Sequence, residues 1–329
     1  MLQKLLDRFG GYERNYSILA LSHDGYPQRG EYSEGYAIKL KSTISLRHEY
    51  EVQELIGGGR DASVYRVVRL DDRANIALKV ITQGRWENSA YERYKRNTKI
   101  LDMLNRVDPL RFPAIVERGH DGNYRKPQGF VEGAYFFALP FIELPTLLHY
   151  SGSQKDPNKV IDALIFSLST MSIMHRNGVL LRDVHPMQFF VDVEKGIALC
   201  TDFDLSSLVT EKPVGSRNDY DSAGYHKNSP EECNKKPLDQ RSDVYPIGHL
   251  IVEAFYHIYG YPTGQPDFDY LHQLEQEGLW DLDTTSIGWA SRNFPQPLID
   301  IILNCSKENP SQRYQSIDGV VEDLARLHL

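Results

Sequence analysis

The chain has 329 residues, 41% of them hydrophobic and 25% charged, and a formal net charge of −8. That length suits one large two-lobed domain or two ordinary ones, and the acidic balance excludes the broadly basic face of a nucleic-acid binder. Cys200, Cys233 and Cys305 show no CxxC spacing, which excludes a disulfide framework and fits a reducing, cytoplasmic compartment.

Taken from the N-terminus, "MLQKLLDRFGG" places Leu2, Leu5, Leu6 and Phe9 at helical spacing, interrupted by Lys4, Asp7 and Arg8. This predicts a short amphipathic helix rather than a signal peptide. Residues 1–49 form an N-terminal extension with a candidate strand in "YAIKLKSTISL". Between residues 50 and 142 short strands dominate: "YEVQELIG", "SVYRVVRL", "IALKVIT" and "GAYFFALPFI". The intervening "SAYERYKRNTKILDMLN" predicts a helix, whose Arg93, Lys95, Arg96 and Lys99 read as a solvated face ahead of a docking patch for an acidic partner.

Residues 143–329 are mainly helical. "NKVIDALIFSLSTMSIMHRNG" sets Ile161, Leu164, Ile165, Leu168 and Met171 on one face, with Gly178 just past the end. "DVYPIGHLIVEAFYHIYG" is apolar most of the way round, which predicts a buried central helix. The apolar stretches near 160–174 and 244–259 contain Asp162 and Glu253 and are too short to span a bilayer. Strands followed by helices predict an α+β chain with a cleft between lobes.

Four features carry chemistry. "IGGGRDASV", from Ile56 through Gly57, Gly58, Gly59 and Ala62 to Val64, sets glycines between two strands, where backbone can approach a phosphate without a Cβ in the way. In "ALKV", strand alternation puts Ala77 and Lys79 on one face and Leu78 and Val80 on the other. The small residue leaves room for an adenine, and the cation suits phosphate oxygens. Asp183 in "RDVHPMQ" and Asp202 in "TDFDLSS" each follow a short apolar strand. One carboxylate can accept a hydroxyl's proton, and the other can hold Mg²⁺.

With "SPE" at 229–231, "RSDVYPIG" at 241–248 and "NPSQR" at 309–313, these motifs stand in an order that resembles the eukaryotic-type protein kinase family from about residue 50 to 325. The resemblance implies a bilobal α+β fold with a small lobe over 50–142 and a large lobe over 143–329. It implies ATP and Mg²⁺ as cofactors and a protein as substrate. Ile56, Gly57, Gly58, Gly59, Ala62, Val64 and Ala77 would surround the nucleotide, with Lys79 on its α- and β-phosphates. Leu139 would back the adenine, and Pro140 to Ile142 would form the hinge. Asp183 would be the catalytic base, with His185 beside it; Asp202 and Gln188 would hold the metal. Glu231 would pair with Arg313, and Asp243 would anchor the catalytic loop. Arg182 would meet a phosphate on the activation segment, where Thr210, Ser216, Tyr220 and Ser222 are candidate phosphosites.

Five residues depart from the family's pattern. Leu181 stands for His, His185 for Lys, Gln188 for Asn and Asp204 for Gly. Asn97 stands where a Glu pairs with the strand lysine, and Glu92 lies about 140° away round the helix. "D-x-H-P" also resembles small-molecule kinases of the aminoglycoside type. A Ser/Thr-directed protein kinase is the first reading, because "VHP" fits that layout. A pseudokinase that binds nucleotide or partners without turnover is the second, and a small-molecule kinase the third.

Overall fold

The computed structural model describes residues 43–45, 48–58, 62–81, 90–121, 134–210, 228–259 and 293–327. The expected N-terminal helix, Gly59, Ser216, Tyr220 and Ser222 lie outside the described residues. The chain divides into two compact units, Met1–Asn105 with Pro113–Glu143, and Arg106–Phe112 with Leu144–Leu329.

The first unit holds an antiparallel six-stranded sheet. Its strands are β1 (Thr43–Ser45), β2 (Glu49–Gly58), β3 (Ala62–Arg69), β4 (Asn75–Ile81), β5 (Glu117–Asp121) and β6 (Ala134–Pro140), ordered β1-β2-β3-β4-β6-β5. Alternation decides what each face does. Ile76, Leu78 and Val80 of β4 join Tyr50, Val52, Tyr65, Val67, Phe136 and Ala138 in one apolar cluster. The register pairs Val64 with Lys79, Ala77 with Leu139 and Lys79 with Phe137. Residues opposite one another in a ladder share a face, so Val64, Ala77, Lys79 and Leu139 line the side away from that cluster, as the alternation in "ALKV" predicts. Register shifts between Val52 and Glu54 and between Leu55 and Gly57 interrupt β2 just before its glycines and bend the strand there.

Helix α1 (Ala90–Val107) turns Asn97, Ile100, Leu101 and Leu104 inward at the i, i+3, i+4, i+7 spacing. Lys95 and Lys99 are exposed, but Arg96 is buried. The expected continuous basic face is therefore divided, because Arg96 falls beside Asn97 on the inward side. Strand β5, "ERGHD", is too polar to be recognised by pattern. It is held by β6 through the Gly119–Phe136 pairing and by Tyr50, whose hydroxyl donates to Glu117 Oε2 at 2.6 Å.

In the second unit, α2 (Leu147–Ser153) starts at Thr146, whose side chain accepts from the His149 N–H. Helix α3 (Pro157–Arg176) starts at Asp156, which caps the Asn158 N–H, with Pro157 in the first turn. It ends at Asn177, and Gly178 follows at φ +72°, the left-handed position that favours glycine. Ile161, Leu164, Leu168 and Met171 are buried, and Ile165 is half-buried. Helix α5 (Gln240–Tyr259) is buried without a break from Ser242 to Val252, which makes it the central helix of this unit. Helices α2, α3 and α6 (Gln296–Cys305) pack against it, α7 (Ile317–Ala325) packs on α3, and α4 (Pro230–Cys233) precedes it in the chain. Two short ladders complete the unit: β7 (Val179–Leu180) with β10 (Ser207–Leu208), and β8 (Phe189–Asp192) with β9 (Ile197–Cys200). The three cysteines are free thiols, with Cys200 and Cys305 buried. Among the described residues no helix is long and apolar enough to cross a membrane.

A Cβ at Gly119 would overlap the Phe136 ring at Cζ, because the buried Phe136 ring lies over the β5 backbone. Gly119→Ala must displace that ring from the sheet core. A loss of about 1–3 kcal/mol is expected, read as a lowered melting temperature. An unchanged melting temperature would show that the ring relocates without cost.

Candidate active site

In the first unit, the β2–β3 hairpin pairs Gly57 with Val64 and Gly58 with Ser63. A Cβ on Gly57 would meet Val64 at 3.6 Å, an ordinary contact, and the residue has no left-handed φ. Among the described residues, then, neither packing nor backbone conformation requires glycine at this position. Lys79 is only 8% exposed. A lysine is seldom buried to that degree, which removes the bland reading of a solvated strand residue. Val64 and Ala77 on the same face are half-buried, Leu139 is buried and Ile142 is half-buried. Ile56 and Ala62 flank the glycines and are also half-buried. Asn97 is fully buried on the inward face of α1, whereas Glu92 is exposed. The acid therefore does not take the amide's place. An amide accepts hydrogen bonds but supplies no charge.

In the second unit, three short stretches converge. Strand β7 leads into Leu181, Arg182 and Asp183; a 3₁₀ turn, Pro186–Gln188, follows; and β8 begins at Phe189. Because Phe189 pairs with Cys200, Gln188 and Asp202 leave the same end of the β8–β9 ladder. The β7–β10 ladder pairs Leu180 with Ser207, and the Ser206 hydroxyl donates to the Leu181 carbonyl. The chain after Asp202 is thus stitched along the chain before Asp183. Two ladders of two to four residue pairs hold Asp183, His185, Gln188 and Asp202 in one region.

Asp243, only 1% exposed, organises this region from the first turn of α5. Its Oδ2 accepts from the Leu181 N–H at 2.7 Å and lies 2.8 Å from His175 Nε2; its Oδ1 accepts from the Arg182 N–H at 2.8 Å. The anchor sits where the backbone is least relaxed, since Arg182 has φ +64°. That conformation costs a non-glycine residue about 1–2 kcal/mol. Leu181 is buried, so an apolar residue suits a position already inside the core.

His185 Nδ1 accepts from the Met187 N–H at 3.2 Å and caps the 3₁₀ turn. With that nitrogen acting as acceptor, the neutral ring carries its proton on Nε2, which lies 4.0 Å from Asp183 Oδ2. The imidazole therefore offers a donor on the Asp183 side without needing a positive charge. Gln188 is buried, and its Oε1 finds no hydrogen-bond partner among the described residues. A buried amide oxygen left this way costs about 1–3 kcal/mol, so the position is suited to a ligand that accepts its lone pair. Asp202 Oδ1 accepts from the Asp204 N–H at 3.2 Å. Asp204 is not at positive φ, so an Asp in place of Gly carries no backbone penalty here.

Mg²⁺ takes one or two carboxylates together with phosphate oxygens and waters. Asp202 with the orphaned Gln188 oxygen fits that donor set. Among the described residues no group of three or more His, Cys, Asp or Glu is placed to hold a metal ion, and an all-protein cage is not what Mg²⁺ requires.

Helix α4 supplies two further anchors. Glu231 accepts from Arg313 Nη1 at 2.7 Å and Nη2 at 2.9 Å. Arg313 also donates to the carbonyls of Lys307, Glu308 and Arg241, which engages all five of its N–H groups. The expected Glu231–Arg313 pair is therefore present. The neighbouring Glu232 holds Arg182: its Oε1 accepts from Arg182 Nε at 3.0 Å and Nη2 at 2.6 Å. The resemblance implies a phosphate as the partner of Arg182; in the structure a carboxylate of the chain itself is bonded there. Glu232 and His175 are the positions that sequence motifs do not reveal. The doubled acid in "SPEE" is the one visible hint of Glu232.

An antiparallel sheet with a buried strand lysine, and a helical unit whose catalytic-type loop hangs from an aspartate on its central helix, define the protein kinase class. The chain belongs to the protein kinase domain family, whose model matches residues 50–323. It is similar to a probable serine/threonine-protein kinase of Clostridium acetobutylicum, 23% identical over 86% of this chain and 40% of the relative. Serine/threonine-protein kinase PknB of Mycobacterium tuberculosis is 24% identical over 86% of this chain and 43% of the relative. Serine/threonine-protein kinase PrkC of Bacillus subtilis is 22% identical over 84% and 40%. The chain thus spans about two-fifths of the length of these relatives.

Burial pushes the Glu231 carboxyl up, but the hydrogen bonds and charge of Arg313 outweigh it, and the group lies below its ordinary value of 4.5. A depressed folded-state value adds stability above the unfolded value and loses it as pH falls through the folded one. The melting temperature should therefore drop as pH falls below about 4.5. In Glu231→Gln that part of the pH dependence should be smaller, because the variant has no proton to take up there. An identical pH profile in both proteins would show that Glu231 does not contribute.

Proposed function

We propose that the protein is a Ser/Thr-type protein kinase that moves the γ-phosphoryl group of ATP to a hydroxyl of a protein substrate, with Mg²⁺, in the cytoplasm. The observation that carries this is the loop around Asp183. A carboxylate, an imidazole N–H and an orphaned amide oxygen lie together there, and the loop hangs by its backbone from a buried aspartate. Residues 50–142 act as the nucleotide-covering lobe and 143–329 as the substrate-bearing lobe.

In this reading Asp183 orients the attacking hydroxyl and accepts its proton as the oxygen attacks the γ-phosphorus and the bond to the β-phosphate oxygen breaks. His185 donates its Nε2–H toward the transferring group as a neutral donor. Lys79 faces the α- and β-phosphates, and Gly57, Gly58 and Gly59 bring backbone close to them. Ala77 and Leu139 leave a flat apolar surface for adenine, with Ile142 at the edge. Asp202 and Gln188 hold the metal, which when bound neutralises charge on the phosphate oxygens. Asn97 cannot give Lys79 the charged partner that a glutamate would, which favours slow turnover. The Glu231–Arg313 anchor belongs to the protein-substrate platform and weighs against a small-molecule substrate.

With Mg²⁺ and labelled ATP, label should appear on the protein itself or on a basic protein, and Asp183→Asn should lower the rate about 10²-fold or more. Equal labelling by the variant removes the catalytic role. Mg-ATP should also raise the melting temperature, and Asp202→Ala should abolish the rise. A rise without any transfer would identify a nucleotide-binding protein that does not turn over.

A further inference from the structure

Arg182 precedes the proposed proton acceptor, and its side chain is spent on a partner far along the chain. It is 5% exposed and Glu232 is 6% exposed. Two guanidinium hydrogen bonds converge on one carboxylate oxygen, Glu232 Oε1, from Nε at 3.0 Å and Nη2 at 2.6 Å. Net stability does not account for keeping such a pair inside. Removing two charges from water is costly, and apolar replacements of similar size are often as stable or more so. A buried pair of this kind contributes a fixed relative position.

The surroundings make that position matter. Glu232 sits on α4, one residue after Glu231, which is bonded twice to Arg313. Because all five Arg313 N–H groups are engaged, α4 rests on a post that cannot easily turn. The Glu232 N–H also donates to the Ser229 hydroxyl at 3.4 Å, at the start of the helix. On the other side, Arg182 holds φ +64° and bonds its N–H to Asp243. Its backbone is fixed by α5 and its guanidinium by α4. The peptide that leads into Asp183 is thereby held from both ends of the arginine, and the cost of its left-handed conformation is offset by these bonds.

We propose that Glu232 is a positioning residue for phosphoryl transfer, which acts through the Arg182 guanidinium to aim the Asp183 carboxylate. This rests on the reading of Asp183 as proton acceptor. Glu232 touches neither nucleotide nor hydroxyl, so its influence should fall on the transfer step and leave nucleotide binding alone.

The test compares Glu232→Gln with the double variant Arg182→Met/Glu232→Leu in the full chain. Glu232→Gln keeps the shape and removes the charge. Its kcat should fall about tenfold or more, with KM for ATP and the Mg-ATP-induced rise in melting temperature both unchanged. The double variant removes both charges and leaves neither buried alone, so its melting temperature should return close to wild type while kcat stays low. A merely structural pair predicts the opposite, with kcat recovering as the melting temperature recovers, and that result overturns the proposal. So does a wild-type kcat in folded Glu232→Gln. Should Glu232→Gln fail to fold, the double variant decides alone by the same criterion. Absence of transfer by the wild-type chain would strike the reading of Asp183 first and this inference with it; an active wild type with unaffected variants would strike this inference only.

Discussion

The Asp243 carboxylate is the constraint on which the second unit's chemistry depends. Its two oxygens serve three donors, the N–H groups of Leu181 and Arg182 and the ring of His175. Each donor belongs to a segment that would otherwise end in unsatisfied polar groups: the exit of β7, a left-handed residue and the C-terminal turn of α3. A buried carboxylate is tolerable only when it is fully bonded, and buried N–H groups need an acceptor. Each therefore supplies what the other lacks. The central helix carries the aspartate in its first turn, and the unbroken burial of that helix prevents the anchor from drifting.

From this anchor the rest follows in short steps. The strained arginine is held, the next residue is presented, and the imidazole caps the turn that delivers Gln188. The β8–β9 ladder then returns the chain to Asp202 at the same end. None of these elements is long: β7 and β10 have two residues each, and the turn has three. Such pieces have little stability of their own. Their order comes from α3 and α5 beneath them, which are long, apolar and close-packed.

Much of this was legible because it is periodic. Strand alternation in "ALKV" separates Lys79 from Leu78 and Val80, and the mainly apolar character of 244–255 marks a buried helix. The Glu231–Arg313 pair and the Asp243 anchor followed from motif order, and both appear with close bonds. What escaped has no period. Strand β5 is polar and is recognised only through its partner, β6. Arg96 lies inside because it neighbours Asn97 on α1, although composition alone makes it one of four surface cations. Asp204 avoids left-handed backbone, so the glycine it replaces was not needed there. The Arg182–Glu232 pair joins residues fifty positions apart, and an ion pair between distant segments leaves no spacing to read.

The two adjacent glutamates of α4 have a consequence for how this chain can vary. Both attachments, one to the C-terminal region and one to the catalytic loop, come after Asn228 and within four residues of each other. Everything between Leu208 and Asn228 lies upstream of them. A single-residue slip inside "SPEE" would move one carboxylate into the other's place and bring Pro230 or Cys233, neither of them an acid, to the place it leaves. Two ties on neighbouring residues thus make the spacing within α4 a shared condition for the catalytic loop and for the C-terminal region.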